Sequence, residues 1–291
     1  PVLSMSGYGE QSRFALRSLR KHEDKLDIFI VPIPWGNTNW INTDDEERKW
    51  IDAHILRTTN YLQAEKNPQF DLSLQITIPN EWQDMAKINV GYTAGIETTR
   101  VAPVWFEKAN MMDRIIVASN HAKNVFLNSA YDAVNQSTGQ KSTLKLETPM
   151  EVVSYPVRQY DQDENFNLDL EHDFNYLLMA QWSERKNIEN TIKWFVEENI
   201  DQEVGLVIKT NSQANCKIDQ EFTLEKRLKP LLKKYEDRKC KIYLLHGDLS
   251  EQQLTSLYNH PKIKCMVSLA HGEGFGLPLF EAAYNGVPII A

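Results

Sequence analysis

Short apolar runs alternate with stretches of helical period along the whole chain, the pattern of parallel-sheet α/β domains. In the first half, the runs at 26–33, 72–78, 88–92 and 114–118 read as strands, and 11–19, 45–56 and 122–127 as helices. Residues 129–147 are rich in Ser, Asn, Gln, Lys and Thr and read as a surface excursion of low structural content. In the second half, strands are expected at 176–180, 204–208, 242–245, 263–269 and 287–291. Helices are expected between them at 187–198, 222–235, 251–258 and 278–284, with a break or kink at Pro230. On 187–198, Ile188, Thr191, Ile192, Phe195 and Val196 share one face.

The βαβαβαβαβ order predicts right-handed crossovers and a doubly wound sheet. The domain boundary falls near Pro156, ahead of the acidic stretch 161–173, giving domains 1–156 and 157–291. No internal repeat is evident. The chain opens on Pro1 without a methionine and closes in an apolar run, so a piece of a longer protein lacking its C-terminal edge is expected.

A chain of 291 residues, 42% hydrophobic and 25% charged, suits two soluble domains whose cores need no staples. Lys plus Arg number 32 against 40 acids, a net charge of -8 that argues against a nucleic-acid binder. A basic pocket for a small polyanion remains compatible with it. Cys216, Cys240 and Cys265 are odd in number and far apart, which reads as free thiols in a reducing, cytoplasmic compartment. No signal peptide, membrane-length run or basic amphipathic helix supports a membrane partner.

In an open parallel sheet, ligands bind beyond the carboxyl ends of the strands. Behind the strand at 176–180 lie Arg185 and Lys186, two cations ahead of a helix, suited to a diphosphate. Alone, such a pair is more often a solvated turn. Lys209 closes the next apolar strand on the same rim. Behind the strand at 263–269 comes the strongest signal, in which Gly272, Gly274 and Gly276 permit close backbone approach and positive φ. Pro278 suits a first helical turn, placing the amides of 274–277 at a helix N-terminus. Glu273 and Glu281 flank that turn as acceptors for sugar hydroxyls, although Glu281 alone would equally suit the helix dipole.

In the first half, Gly7 and Gly9 before a helix form a weak phosphate-approach candidate, and in isolation an ordinary turn is the better reading. Glu97 and Arg100, behind the strand at 88–92, are candidates to face the same cleft, with Glu97 as acid, base or hydroxyl acceptor. His121, His246 and His271 follow strands, and His246 is a candidate neighbour of a nucleotide base. The remaining histidines sit in polar contexts, and none has a metal-ligand spacing.

The string from Glu273 through Phe275, Gly276, Leu277 and Pro278 to Glu281, followed by Ala282, Gly286 and Pro288, resembles the signature of glycosyltransferase family 4. Arg185, Lys186 and Asn187 resemble that family's diphosphate motif, Lys209 falls at another basic contact, and Gly7 and Gly9 resemble the glycine loop of its N-terminal domain. The resemblance implies a GT-B fold, two Rossmann-like domains facing a cleft, the first on the acceptor side and the second, incomplete, binding a nucleoside-diphosphate sugar. It implies retention of anomeric configuration without an essential metal or cofactor. It assigns Glu281 to the ribose, Glu273 to the donor sugar with the amides of Phe275, Gly276 and Leu277 nearby, and Arg185 and Lys186 to the leaving diphosphate. Where many members carry a histidine near the reacting carbon, this chain has Gly95, Ile96 and Glu97, so Glu97 is expected to act on the acceptor side. The acceptor is a glycan, lipid or protein. The competing readings are a nucleotide-sugar binding protein without turnover and another GT-B enzyme such as an epimerase.

Overall fold

The computed structural model describes residues 1–36, 38–134 and 139–291. The chain divides into two compact units, Pro1–Pro156 and Val157–Ala291, each with its own parallel sheet and core.

The first unit begins with helices α1 (Gly7–Arg20) and α2 (Glu46–Ala64). There follow β1 (Leu72–Ile76), β2 (Ile88–Thr93), α3 (Pro103–Ala109), β3 (Arg114–Val117), α4 (Asn120–Asn128), β4 (Tyr131–Val134), β5 (Lys141–Leu144) and β6 (Met150–Val152). Its four-stranded parallel sheet runs β1-β2-β3-β6. Three helices start on residues that cap them. Ser6, Asp45 and Ser119 accept hydrogen bonds from the amides of Gly9, Arg48 and Ala122, each satisfying a first-turn N–H that the helix leaves unpaired. The core gathers Trp82, Phe106, Ile115, Val117 and Phe126.

Two expectations are corrected here. Residues 26–33 join no sheet among the described residues. Ile28 and Ile30 instead pack with Val2, Leu3 and Ile51, and the Ile30 amide donates to Thr58 Oγ1 at 2.7 Å. Apolar alternation there marks burial without strand pairing. The stretch 129–147 contains an antiparallel β4–β5 hairpin; its residues 135–138 lie outside the described ones. Arg100 holds the hairpin, with its guanidinium 4.5 Å from the Tyr131 ring centre and donating to the Ala130 carbonyl at 2.9 Å.

The second unit runs β7 (Asn175–Met179), α5 (Ile188–Glu198), β8 (Gly205–Thr210), α6 (Lys217–Phe222), a π-helical turn (Thr223–Leu228), α7 (Lys229–Leu232) and β9 (Lys241–His246). It continues through α8 (Glu251–Tyr258), β10 (Ile263–Val267), α9 (Leu277–Tyr284) and β11 (Ile289–Ile290). The parallel strand order is β11-β10-β7-β8-β9. The chain winds outward from β7 to β9, then crosses back to β10 on the other side, which makes the sheet doubly wound. Both faces are covered. Ile188, Ile192 and Val196 of α5 pack with Leu206 and Ile208, and Leu257, Tyr258 and Ala282 pack with Leu177, Val207 and Met266. Burial on two faces is why these strands read as near-continuous apolar runs.

The helix expected at 222–235 is three pieces, with the π-helical turn directly before the one that has Pro230 in its first turn. A proline ring clashes with the carbonyl four residues back, and widening the preceding turn relieves that clash. α8 carries a capping box, Ser250 bonding the Gln253 amide and Gln253 bonding back. α9 ends at Gly286, φ +79°. The Gly286 and Val287 amides bond the carbonyls of Ala283 and Ala282, the Schellman closure that a left-handed glycine permits. Among the described residues no helix is long and apolar enough to cross a membrane.

Candidate functional site

Because the strand order reverses at β7, the loops that follow β7 and β10 lie side by side. Hydrogen bonds join them. The His271 amide donates to the Arg185 carbonyl at 2.9 Å, Arg185 Nη1 donates to the Gly272 carbonyl at 2.7 Å, and Asn187 Nδ2 donates to the Leu269 carbonyl at 2.9 Å. Across the same seam Lys186 Nζ forms a close ion pair with Glu273 Oε1, and Arg185 Nη1 lies 3.8 Å from Glu273 Oε2. The structure thus brings Arg185, Lys186, Gly272 and Glu273 together from positions far apart in the chain. The Lys186 and Glu273 side chains are 16% and 26% exposed, sheltered enough for their charges to matter yet open to a ligand.

Two helices begin at this seam. Asn187, at φ 52°, opens α5, and Gly276, at φ +76°, opens α9. Left-handed φ is costly for most L-residues but accessible to glycine and, more readily than to others, to asparagine. Of the three glycines of the motif, Gly276 is the one with positive φ. Neither Asn187 nor Gly276 supplies a side-chain cap, and a helix N-terminus without one offers its first-turn amides to an anion. Gly274, Phe275 and Leu277 lie in the same turn, where the Phe275 ring packs edge-on against Phe280 with centres 5.2 Å apart.

Glu281 projects from α9, where the Tyr258 hydroxyl donates to its Oε2 at 3.1 Å. Burial, seconded by the Glu281 charge, holds the Tyr258 phenol well above its ordinary range. Lys209 sits inside β8 rather than beyond it, in register with Met179 and Leu245. Strand alternation gives it the Val207 face, toward α8 and α9. Burial lowers its pKa, opposed in part by Asp248.

In the first unit, Gly7 and Gly9 do not form a loop; they lie in the first turn of α1. A Cβ at Gly9 would stand 1.9 Å from the Ser4 carbonyl oxygen, and the Gly9 amide donates to Ser6 Oγ, so this glycine serves helix packing and capping. Glu97 is exposed after β2. It is among the charges acting on the Tyr8 phenol, which burial first of all pushes up to about 12 and which hydrogen bonds Thr93 at 2.7 Å. Arg100, expected to act beside Glu97, is engaged with the β4–β5 hairpin instead.

Two features were not anticipated. One is the Tyr258–Glu281 contact, for which the signal was a tyrosine closing the buried face of α8, since a buried phenol needs a partner. The other joins the ends of β8 and β9. His246 Nε2 lies 2.8 Å from Asp219 Oδ2, and Asp219 also accepts the Ser212 and Gln213 amides at 2.8 and 3.0 Å. His121 and His271 are exposed. Among the described residues no three His, Cys, Asp or Glu side chains gather as a metal site.

Residues 161–291, a little under half of the chain, match the family model described as glycosyl transferases group 1. No curated protein matches. Among solved structures, the chain is similar to a UDP-forming trehalose-phosphate synthase from Burkholderia xenovorans, at 10% identity over 84% of this chain and 62% of that one, TM-score 0.48. It is also similar to the Escherichia coli trehalose-6-phosphate protein bound with UDP-2-fluoro glucose, at 12% identity over 83% and 63%, TM-score 0.45. A third is the pneumococcal O-GlcNAc transferase in complex with UDP and GlcNAc, at 15% identity over 69% and 41%, TM-score 0.37. The chain spans half or less of the length of the first structures it matches.

Proposed function

We propose that this chain is part of a retaining glycosyltransferase of the family 4 type, moving a sugar from a nucleoside-diphosphate sugar to a glycan, lipid or protein acceptor. The observation that carries this reading is the seam between the β7 and β10 loops, where two cations, an acceptor carboxylate and two helix N-termini meet within the segment that matches the group 1 family.

Arg185 and Lys186 would bind the diphosphate, and Lys209 would add charge from the neighbouring strand. The glycine turn, Gly274, Phe275, Gly276 and Leu277, would admit the donor to backbone distance. Glu273 would hold the donor sugar's hydroxyls and Glu281 the ribose. As the acceptor oxygen bonds the anomeric carbon, the bond from that carbon to the diphosphate breaks and the electron pair leaves with the nucleoside diphosphate. Cations fixed where this charge develops lower the barrier without a metal ion. The acceptor's proton passes to a base, for which Glu97 is the candidate. The free thiols Cys216, Cys240 and Cys265 fit a reducing, cytoplasmic setting.

Calorimetric titration with UDP, GDP, ADP and CDP, without divalent metal, tests the reading. Saturable binding of one nucleotide supports it and names the donor class; no binding by the folded chain overturns it. The exposure of Glu97 favours, as a second reading, a nucleotide-sugar binding protein without turnover. Release of nucleoside diphosphate from a bound donor excludes that one.

A further inference from the structure

Tyr258 is the last residue of α8 and packs in one apolar cluster with Leu257, Ala282 and Val207. The residue is 4% exposed, so its single hydroxyl proton must find a protein acceptor. Three atoms compete for it: Glu281 Oε2 at 3.1 Å, the Pro278 carbonyl at 3.4 Å and the Met179 sulfur at 3.5 Å. The carboxylate is the nearest and the only charged one, and charge-assisted bonds are the strongest of the three kinds. The phenol keeps its proton because burial and the adjacent carboxylate both oppose its ionisation. Tyr258 is therefore a fixed donor and Glu281 its acceptor.

A glutamate side chain has three rotatable bonds, and holding it in one rotamer costs conformational entropy. The tyrosine ring, buried in the cluster with Val207, Leu257 and Ala282, has its orientation set by packing and passes that constraint to the carboxylate. We infer that Tyr258 is a positioning residue, whose hydroxyl fixes the Glu281 carboxylate in the orientation that accepts the two ribose hydroxyls of a nucleotide. The inference rests on the ribose role proposed above for Glu281.

The test compares whichever of UDP, GDP, ADP and CDP binds tightest with its 2′,3′-dideoxy analogue. Affinities are measured by calorimetry on the wild type, Tyr258→Phe, Glu281→Ala and the double variant. The expected result is that Tyr258→Phe cuts the preference for the ribose form about 5- to 10-fold and leaves dideoxynucleotide affinity unchanged. In the Glu281→Ala background, where the Tyr258 hydroxyl has no side-chain oxygen at 281 to orient, the same substitution adds nothing, since both act through one carboxylate. A Tyr258→Phe protein that keeps the full ribose preference, or loses both ligands equally, overturns the inference. Should the phenylalanine variant fail to fold, 3-fluorotyrosine at position 258 keeps the shape and makes a more acidic donor. A shifted ribose preference then supports the inference and an unshifted one overturns it. A wild type without ribose preference instead overturns the role of Glu281 itself, and a folded chain that binds none of the four nucleotides overturns both.

Discussion

Lys186 Nζ and the Glu273 carboxylate meet as a close ion pair although they stand 87 positions apart in the chain. The cation proposed to bind the diphosphate thus already faces an internal anion, and a diphosphate entering the seam competes with Glu273 for it. Glu273→Gln removes the competitor and keeps the shape. Nucleoside-diphosphate affinity is expected to rise about threefold, the scale of a partly exposed ion pair, and to do so more at low salt than at high salt. Transfer from a nucleotide-sugar donor is expected to fall at least about tenfold, because the sugar loses a charged acceptor. Calorimetry and a turnover assay on the same variant read these opposite signs.

Arg185→Ala and Lys186→Ala are expected to discriminate between ligands. The nucleoside diphosphate weakens by roughly tenfold or more with Lys186→Ala, the scale of a hydrogen bond to a charged group. It weakens less with Arg185→Ala, whose side chain is half exposed. The free nucleoside is affected by neither. Equal losses for nucleoside and nucleoside diphosphate would refute the phosphate assignment.

Gly276 and Gly9 are required for different reasons, and their alanine variants separate them. At Gly276 a Cβ has room, its nearest neighbour being Leu279 Cδ1 at 3.5 Å, but φ is +76°. Gly276→Ala is expected to cost about 1–2 kcal/mol from backbone conformation alone. At Gly9 φ is helical, but the Cβ would strike the Ser4 carbonyl oxygen at 1.9 Å, so the N-terminal segment must move and the loss is expected to be larger. Urea unfolding of the two variants orders them.

Asp219 supplies a pH-dependent contribution. Burial works against its charge, but hydrogen bonds from His246 and from the Ser212 and Gln213 amides outweigh it and hold the carboxyl below its usual 3.8. A folded pKa below the unfolded one means that the unfolded chain binds more protons in the window between them. Stability from this group is then fully present above about pH 4 and lost as pH falls through that window. Asp219→Asn is expected to destabilise by about 1–3 kcal/mol at pH 7, and the difference from wild type is expected to shrink below pH 4. A difference that stays constant from pH 7 to pH 3 would exclude the charged hydrogen bonds as its source.

The second unit was the more legible half because its signals are local. Buried strands on two covered faces leave continuous apolar runs, and the amphipathic face of α5 appears residue by residue as Ile188, Thr191, Ile192, Phe195 and Val196. Ser250 with Gln253 announces the start of α8, while Pro278 and Gly286 bracket α9. The first unit misled where apolar alternation served burial without pairing, at 26–33, and where polar composition concealed the β4–β5 hairpin.

The chemistry divides the same way. Residue order alone placed Arg185, Lys186, Glu273 and the glycine turn between a strand end and a helix start, since those features depend on neighbours within a few positions. The tertiary structure decided which of them meet. Lys186 reaches Glu273, Arg185 holds the Gly272 carbonyl, Tyr258 bonds Glu281, and Arg100 lies over the Tyr131 ring. The first two of these pairings depend on the strand order β11-β10-β7-β8-β9 of the second unit, which sets the loops after β7 and β10 beside each other. Strand order follows from the packing of both sheet faces at once, a property of the whole chain that no local pattern encodes.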